Sequence, residues 1–301
     1  MKKNSFKVVK ICPSRPVVLI TGAGSPGVVG IIQRLRTWFY VISVDCDPEA
    51  VGFKFSDGFY TVPPASSDDF IPELLRICRE NCVKVVFPKV TAELSKLSEA
   101  REFFKEEGIE ILISSKDSID NANNKGKFLG KCMEGLIPTP LFFTANKFCS
   151  KPLEGSGGDG FKVYEEGGVV MEYLPGDEFS VDALCNNGKA ITIVVRTREK
   201  VRAGVTMVGT VVQDPEIIET SKKIIKELKL HGLIGLQFKR GEDGVAYPIE
   251  CNPRLQGSIM LSEMACGNLF ENAYNLAVGN ELEDTDVKYI TMRRYLKEFY
   301  E

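Results

Sequence analysis

Residues 17–24, Val-Val-Leu-Ile-Thr-Gly-Ala-Gly, form an apolar, β-branched run that ends in glycines. Such a run reads as a strand buried on both faces, and strands of that kind belong to parallel sheets. The alternation continues downstream. Gly27 to Trp38 carries Val28, Val29, Ile31, Ile32 and Leu35 at helical spacing, and 40–45 (YVISVD) is a second strand. Residues 68–81 read as a helix with Asp68 or Asp69 as N-cap, 84–88 as a strand, 94–107 as a helix closed by Gly108, and 109–113 as a fourth strand. Strands alternating with helices place residues 1–115 in a doubly wound α/β domain.

The texture then changes. Residues 116–137 read as helical and stop at Ile137-Pro138-Thr139-Pro140, and 141–212 as short strands among many glycines. Strands are expected at 168–174, 179–186 and 190–196. Residues 214–229 read as a helix with Pro215 in its first turn, 233–240 and 245–251 as a hairpin, and 259–278 as a last helix. With 301 residues, two domains are expected, 1–115 and 116–301.

Composition removes several function classes. The net charge is −3, from 38 basic and 41 acidic residues, and carries no electrostatic footprint for nucleic acid. No apolar run approaches the roughly 20 residues of a membrane span. Met1-Lys2-Lys3-Asn4 leads into no long apolar segment, so no export signal is read. Nine cysteines without CxxC pairs read as reduced thiols of a cytoplasmic protein. The single histidine, His231, reads as structural, which disfavours zinc and His-based triads.

Four motifs carry chemistry. Gly22-x-Gly24-x-x-Gly27 lies between a strand and a helix, with Asp45 ending the next strand, the spacing of a dinucleotide fingerprint or simply of a tight βα turn. Lys151-Pro152-Leu153-Glu154-Gly155-Ser156-Gly157-Gly158-Asp159-Gly160 offers amides and one point charge to an anion, or is a surface loop. Met171-Glu172-Tyr173-Leu174-Pro175-Gly176-Asp177-Glu178 is a strand end followed by carboxylates, suited to an adenine edge and a ribose, or a plain hairpin. In the last hairpin, Glu250 and Asn252 share a face. With a four-residue turn and no bulge, Arg240 pairs with Val245 and Gln237 opposes Pro248, diagonal to Glu250. One anionic and two neutral oxygen donors suit Mg²⁺ with substrate phosphates, and Arg254 follows. The basic run Arg196, Arg198, Lys200 and Arg202 reads by default as a solvated face.

In this order the pieces resemble an ATP-grasp enzyme, and are similar to single-domain proteins like the carbamoyl-phosphate synthase large subunit. The resemblance spans about residues 16 to 280 and rests on Lys151 to Gly160, Glu172 to Glu178, and Gln237 with Glu250-Cys251-Asn252-Pro253-Arg254. It implies a Rossmann-like pre-ATP-grasp domain followed by an ATP-grasp domain of two α+β subdomains. It implies ATP held by Lys125, Lys151, Ser156, Gly157 and Gly158, an adenine hinge at Glu172, Tyr173 and Leu174, and a ribose ligand at Glu178. Magnesium, or manganese in its place, is implied at Gln237, Glu250 and Asn252, with Arg254 and Lys151 at the transferred phosphate. Gly24, Ser25, Glu93 and Arg202 are the substrate-side candidates. Only ten residues separate Pro140 from Lys151, and 160–172 is also short, which implies a trimmed lid within about 141–190. The resemblance implies a ligase that activates a carboxylate as an acyl phosphate for an amine or ammonia. Its partners are small molecules, with no nucleic acid and no membrane, and a homodimer is the default assembly. A non-catalytic ATP-binding module and, on the glycine fingerprint, an NAD-dependent oxidoreductase are the competing readings.

Overall fold

A computed structural model describes residues 13–145, 148–150, 162–164, 168–202, 204–295, 297, 298 and 300. The first part alternates β1 (Val17–Thr21), α1 (Val28–Leu35), β2 (Tyr40–Asp45), β3 (Gly58–Thr61), α2 (Phe70–Glu80), β4 (Val83–Phe87), α3 (Leu94–Glu99), α4 (Arg101–Glu106) and β5 (Glu110–Ile111). The strands form a five-stranded sheet in the order β3-β2-β1-β4-β5, and every pairing is parallel. All of β1 is buried because the sheet is covered twice. Val17 and Leu19 pack with Phe70, Leu74, Ile77 and Phe104 of α2 and α4. Val18 and Ile20 pack with Val28, Ile31 and Leu35 of α1 on the other face.

The linking segment is α5 (Lys116–Asn123) and α6 (Lys125–Glu134), capped by Ser115 and Asn124. Asn124 has extended backbone, which breaks the single helix expected over 116–137. Among the described residues that follow, β6 (Phe142–Ala145) pairs with β9 (Gly168–Met171), and β7 (Phe148–Ser150) with β8 (Lys162–Tyr164).

The remaining elements are β10 (Glu178–Asn186), β11 (Lys189–Thr197), β12 (Lys200–Arg202), β13 (Val205–Val212), α7 (Pro215–Glu227), β14 (Gly232–Arg240), β15 (Ala246–Asn252), α8 (Met260–Cys266), α9 (Leu269–Val278) and β16 (Thr291–Arg293). They build a seven-stranded sheet, β12-β13-β11-β10-β14-β15, with β16 against β13. Strand alternation gives the sheet two faces. Val181, Ala183, Ile234 and Leu236 meet α6 and α7 through Phe128, Leu129, Ile224 and Ile225. Leu184 and Leu233 face the other way, into a cluster that also holds Leu269, Phe270 and Ala273 of α9 together with Val18 and Ile20 of β1. One core is therefore continuous across the two parts, because α9 closes a face of the first sheet.

Several elements differ from the sequence-based expectation. The helix over 94–107 divides at Ala100, and that over 259–278 ends first at Gly267, whose φ of 83° is a left-handed cap. β3, β12, β13 and β16 were not singled out, and three of these four strands have four residues or fewer, too few for a pattern to register. Cys82 is disulfide-bonded, so the all-thiol reading fails at that position, whereas Cys46, Cys78, Cys132, Cys185, Cys251 and Cys266 are free.

Candidate active site

The β14–β15 hairpin departs from the expected register in a way that tightens the site. Its turn has five residues: Arg240 pairs with Ala246, and the Gly241 amide donates to the Val245 carbonyl at 2.9 Å. The Asp243 carboxylate draws Val245 into the turn by accepting its amide at 3.0 Å, and accepts the Tyr247 hydroxyl at 2.7 Å. Phe238 pairs with Pro248, and a bulge then inserts Ile249. Gln237 is consequently directly opposite Glu250 rather than diagonal to it. Directly opposed Cβ atoms lie about 5 Å apart.

Asn252 follows on the same face, and its Nδ2 donates to Glu250 Oε1 at 3.1 Å. Lys125, the first residue of α6, brings Nζ to 3.7 Å from Glu250 Oε2. Arg254 donates to Asn252 Oδ1 at 3.2 Å, to the Leu255 carbonyl at 3.0 Å and to Thr91 Oγ1 at 2.7 Å. Through Thr91 the arginine ties the second sheet to the loop after β4. Five residues spread over 130 positions of chain, Lys125, Gln237, Glu250, Asn252 and Arg254, thus form one cluster.

The cluster borders a cavity of about 370 Å³ between the two parts. The first part contributes Ser25, Pro26, Lys89 and Thr91, and the second contributes Gln237, Glu250, Asn252 and Arg254 together with Arg198. The glycine turn is used for this apposition. Gly27 has φ of 79°, and a Cβ there would sit 2.1 Å from the Gly257 carbonyl oxygen, so the two backbones touch. Asp45 accepts the Gly24 amide at 2.7 Å instead of facing outward toward a ribose, which removes support for the dinucleotide reading.

The substrate-side candidates divide. Ser25 lines the cavity, its hydroxyl donating to the Gly22 carbonyl at 2.6 Å. Gly24 has its amide committed to Asp45. Glu93 does not reach the cavity: it is 3% exposed and accepts Thr21 Oγ1 and the amides of Lys89 and Val90. Burial pushes its carboxyl up to about 7 against those hydrogen bonds. Arg202 is exposed on β12, and Arg198 occupies the cavity wall in its place.

The basic run is not one solvated face, because the chain leaves β11 at Thr197 and enters β12 only at Lys200. Arg196 is fully buried, with Nε 2.8 Å from Asp182 Oδ2, Nη1 donating to Ser258 and Nη2 to Gln256. Arg198 pairs with Glu178 at 2.8 Å. That pairing occupies the carboxylate expected at the ribose. In the hinge, Glu172 exchanges backbone and side-chain bonds with Leu141, Leu174 is buried, and the exposed Tyr173 ring lies under Lys239. Lys151, Ser156, Gly157 and Gly158 lie outside the described residues.

Sequence reasoning missed Lys89 at the cavity wall. It is 5% exposed, and burial, then Arg254 and Arg294, push its ammonium down to about 8. Its signal was a lone lysine between a strand end and a helix. His231 is buried: burial pushes it down to about 4, and its backbone is tied to Ser114.

Glu93 makes a testable statement about pH. Its folded-state value lies above the ordinary carboxyl value of 4.5, so the folded state holds the proton more tightly. Its contribution to stability is full below about pH 4.5 and is lost as pH rises through about 7. Glu93→Gln keeps the shared acceptor oxygen and removes the charge. Denaturant midpoints are expected to match wild type at pH 5 and exceed it at pH 8. An equal difference at both values contradicts the assignment.

Residues 165–298 match the family model "ATP-grasp in the biosynthetic pathway with Ter operon", and residues 18–112 match "PylC-like, N-terminal domain". The carbamoyl phosphate synthase large chain of Corynebacterium glutamicum is 24% identical over 90% of this chain, which spans 29% of that relative's length. Among solved structures, the ADP complex of N5-carboxyaminoimidazole synthetase from Staphylococcus aureus aligns with TM-score 0.68 and 14% identity, over 95% of this chain and 84% of that one. The biotin carboxylase–β,γ-ATP complex from Campylobacter jejuni aligns with TM-score 0.64 and 17% identity, over 90% of this chain and 73% of that one. The second part of the chain is thus similar to an ATP-grasp family and the first part to the PylC-like N-terminal domain, and the fold as a whole is shared with the two solved structures.

Proposed function

We propose that the chain is an ATP- and Mg²⁺-dependent ligase of small molecules, working in the cytoplasm, that activates a carboxylate for attack by an amine or ammonia. The observation that carries this reading is the bulge that sets Gln237 opposite Glu250, beside Asn252 and between Lys125 and Arg254. One carboxylate and two carboxamide oxygens are hard donors, few enough to leave a hexacoordinate ion room for phosphate oxygens and water. They fit magnesium, with manganese as the alternative. Bound there, the ion would screen the phosphate charges of ATP.

In this reading a substrate carboxylate takes the γ-phosphoryl group and ADP leaves. An amine then displaces phosphate from the acyl phosphate and loses a proton. Little covalent work falls to the protein, so positioning and charge carry the catalysis. Arg254, held by Thr91 and Asn252, presents its guanidinium at the cavity where charge develops. Lys125 supplies a second positive charge from the start of α6. Leu174 and the hinge backbone line the adenine side, and 116–301 forms the nucleotide-binding unit.

The short stretch of sequence between Pro140 and Glu172 favours a second reading, a non-catalytic ATP-binding module. Screening carboxylates with amines and ammonia for ADP release separates the two. ADP formed only with an acid present supports the ligase, and tight ATP binding without turnover on any pair supports the module.

A further inference from the structure

Lys89 is a buried cation without an anion of its own. It lies in the loop after β4 and is 5% exposed. Among the described residues its ammonium donates one hydrogen bond, to the Pro26 carbonyl, at the long distance of 3.3 Å. Arg254 and Arg294 are the cations that act on it, and Glu93 is the acid. Glu93 is committed elsewhere, to Thr21 and two backbone amides. Arg254 spends its donors on a hydroxyl, a carbonyl and a carboxamide, and Arg294 donates to the Gly257 carbonyl at 3.0 Å. None of the three cations has a carboxylate as hydrogen-bond partner among the described residues.

The acidic groups near the cavity do not supply one. Glu250 is turned to Lys125 and Asn252, and Glu178 to Arg198. Burying a charge is costly unless it is paired, so buried cations at a cavity wall that no carboxylate hydrogen-bonds make a site prepared for an anion. Lys89 and Arg254 line that cavity from opposite parts of the chain. Ser25, Thr91 and Ser258 line it beside them and add hydroxyl groups.

We propose that Lys89 is a specificity-determining residue: it binds a second anionic group on the acid substrate, a carboxylate or a phosphate additional to the carboxylate that is activated near Arg254 and Glu250. This assignment rests on the ligase reading for which carboxylate reacts, but the anion subsite itself does not. The acceptor class is therefore a small carboxylic acid with two anionic ends.

The test uses matched probes on the full chain. Malonate, succinate and glutarate are titrated calorimetrically against propionate, butyrate and valerate, and 3-phosphoglycerate against glycerate. Each is measured on wild type, Lys89→Met and Lys89→Gln, and MgATP is titrated into the same three proteins. Wild type is expected to bind at least one doubly charged acid about tenfold or more tightly than its singly charged counterpart, since a desolvated charge pair discriminates strongly. Both variants are expected to lose that preference and to keep MgATP affinity. Preference confined to the dicarboxylates or to the phosphorylated acid identifies the second group. Preference retained by the variants, or absent from wild type across the set, overturns the proposal. Lysine-dependent preference in a protein that binds no MgATP refutes the ligase reading and leaves the anion subsite standing.

Discussion

Glu250→Gln is expected to lower magnesium-dependent ATP turnover by about a hundredfold or more, with little change in stability. The substitution removes the one anionic donor of the Gln237–Glu250–Asn252 set and leaves its shape. Glutamine retains an oxygen for the Asn252 amide, so the local geometry persists. The ion pair lost with Lys125 is long, 3.7 Å, and joins side chains that are 60% and 32% exposed. Such a pair contributes little to folding, so denaturation midpoints are expected to agree within about 0.5 kcal/mol. A variant with wild-type magnesium dependence removes Glu250 from the metal site. One that unfolds shows that the carboxylate is structural.

Arg196→Met is expected to destabilise the protein by about 3–5 kcal/mol, the largest stability effect anticipated for a single side chain here. Arg196 and Asp182 are both fully buried and joined at 2.8 Å. Ser262 also donates to Asp182 Oδ2, at 2.5 Å. Removing the arginine leaves the fully buried Asp182 carboxyl without its cation and with Ser262 as its remaining side-chain partner, while its Oδ1 already lacks one. The double substitution Asp182→Leu with Arg196→Met removes both charges and is expected to recover much of the loss. Chemical denaturation of the three variants decides this. A single variant within about 1 kcal/mol of wild type would show that the pair is not the anchor described. The network bears on function too, since Arg196 holds Ser258 and Gln256, which line the cavity.

The sequence was most informative where chemistry is local. The alternation from Val17 to Ile113 indicated the parallel sheet because buried strands need continuous apolar runs. Glu250 and Asn252 are two apart in one strand, and period 2 alone puts them on one face. Gln237 was placed on the same face but opposite Pro248, two residues short of its actual partner Glu250, because the turn is one residue longer than expected and the bulge adds one more. A bulge is a backbone event that side-chain periodicity does not encode, and Ile249 looks like any strand residue. Contacts between distant segments were the least legible. Gly27 against Gly257, Arg254 on Thr91 and α9 over the first sheet all join residues more than 150 positions apart. Lys89 belongs to the same class: its role follows from the charges around it, and those come from both parts of the chain. Arg196 and Arg202 show the converse. A charge run was read as one face, yet one end is the largest fully buried side chain and the other is exposed.

The central claim, a magnesium-dependent nucleotide site built on the β14–β15 bulge, is tested most directly by the heat of ATP binding with and without Mg²⁺, with NADH as control. Saturable ATP binding that requires Mg²⁺ in wild type, is lost in Glu250→Gln, and is absent for NADH is the predicted result. ATP binding indifferent to the ion, or saturable binding of NADH in place of ATP, would contradict it.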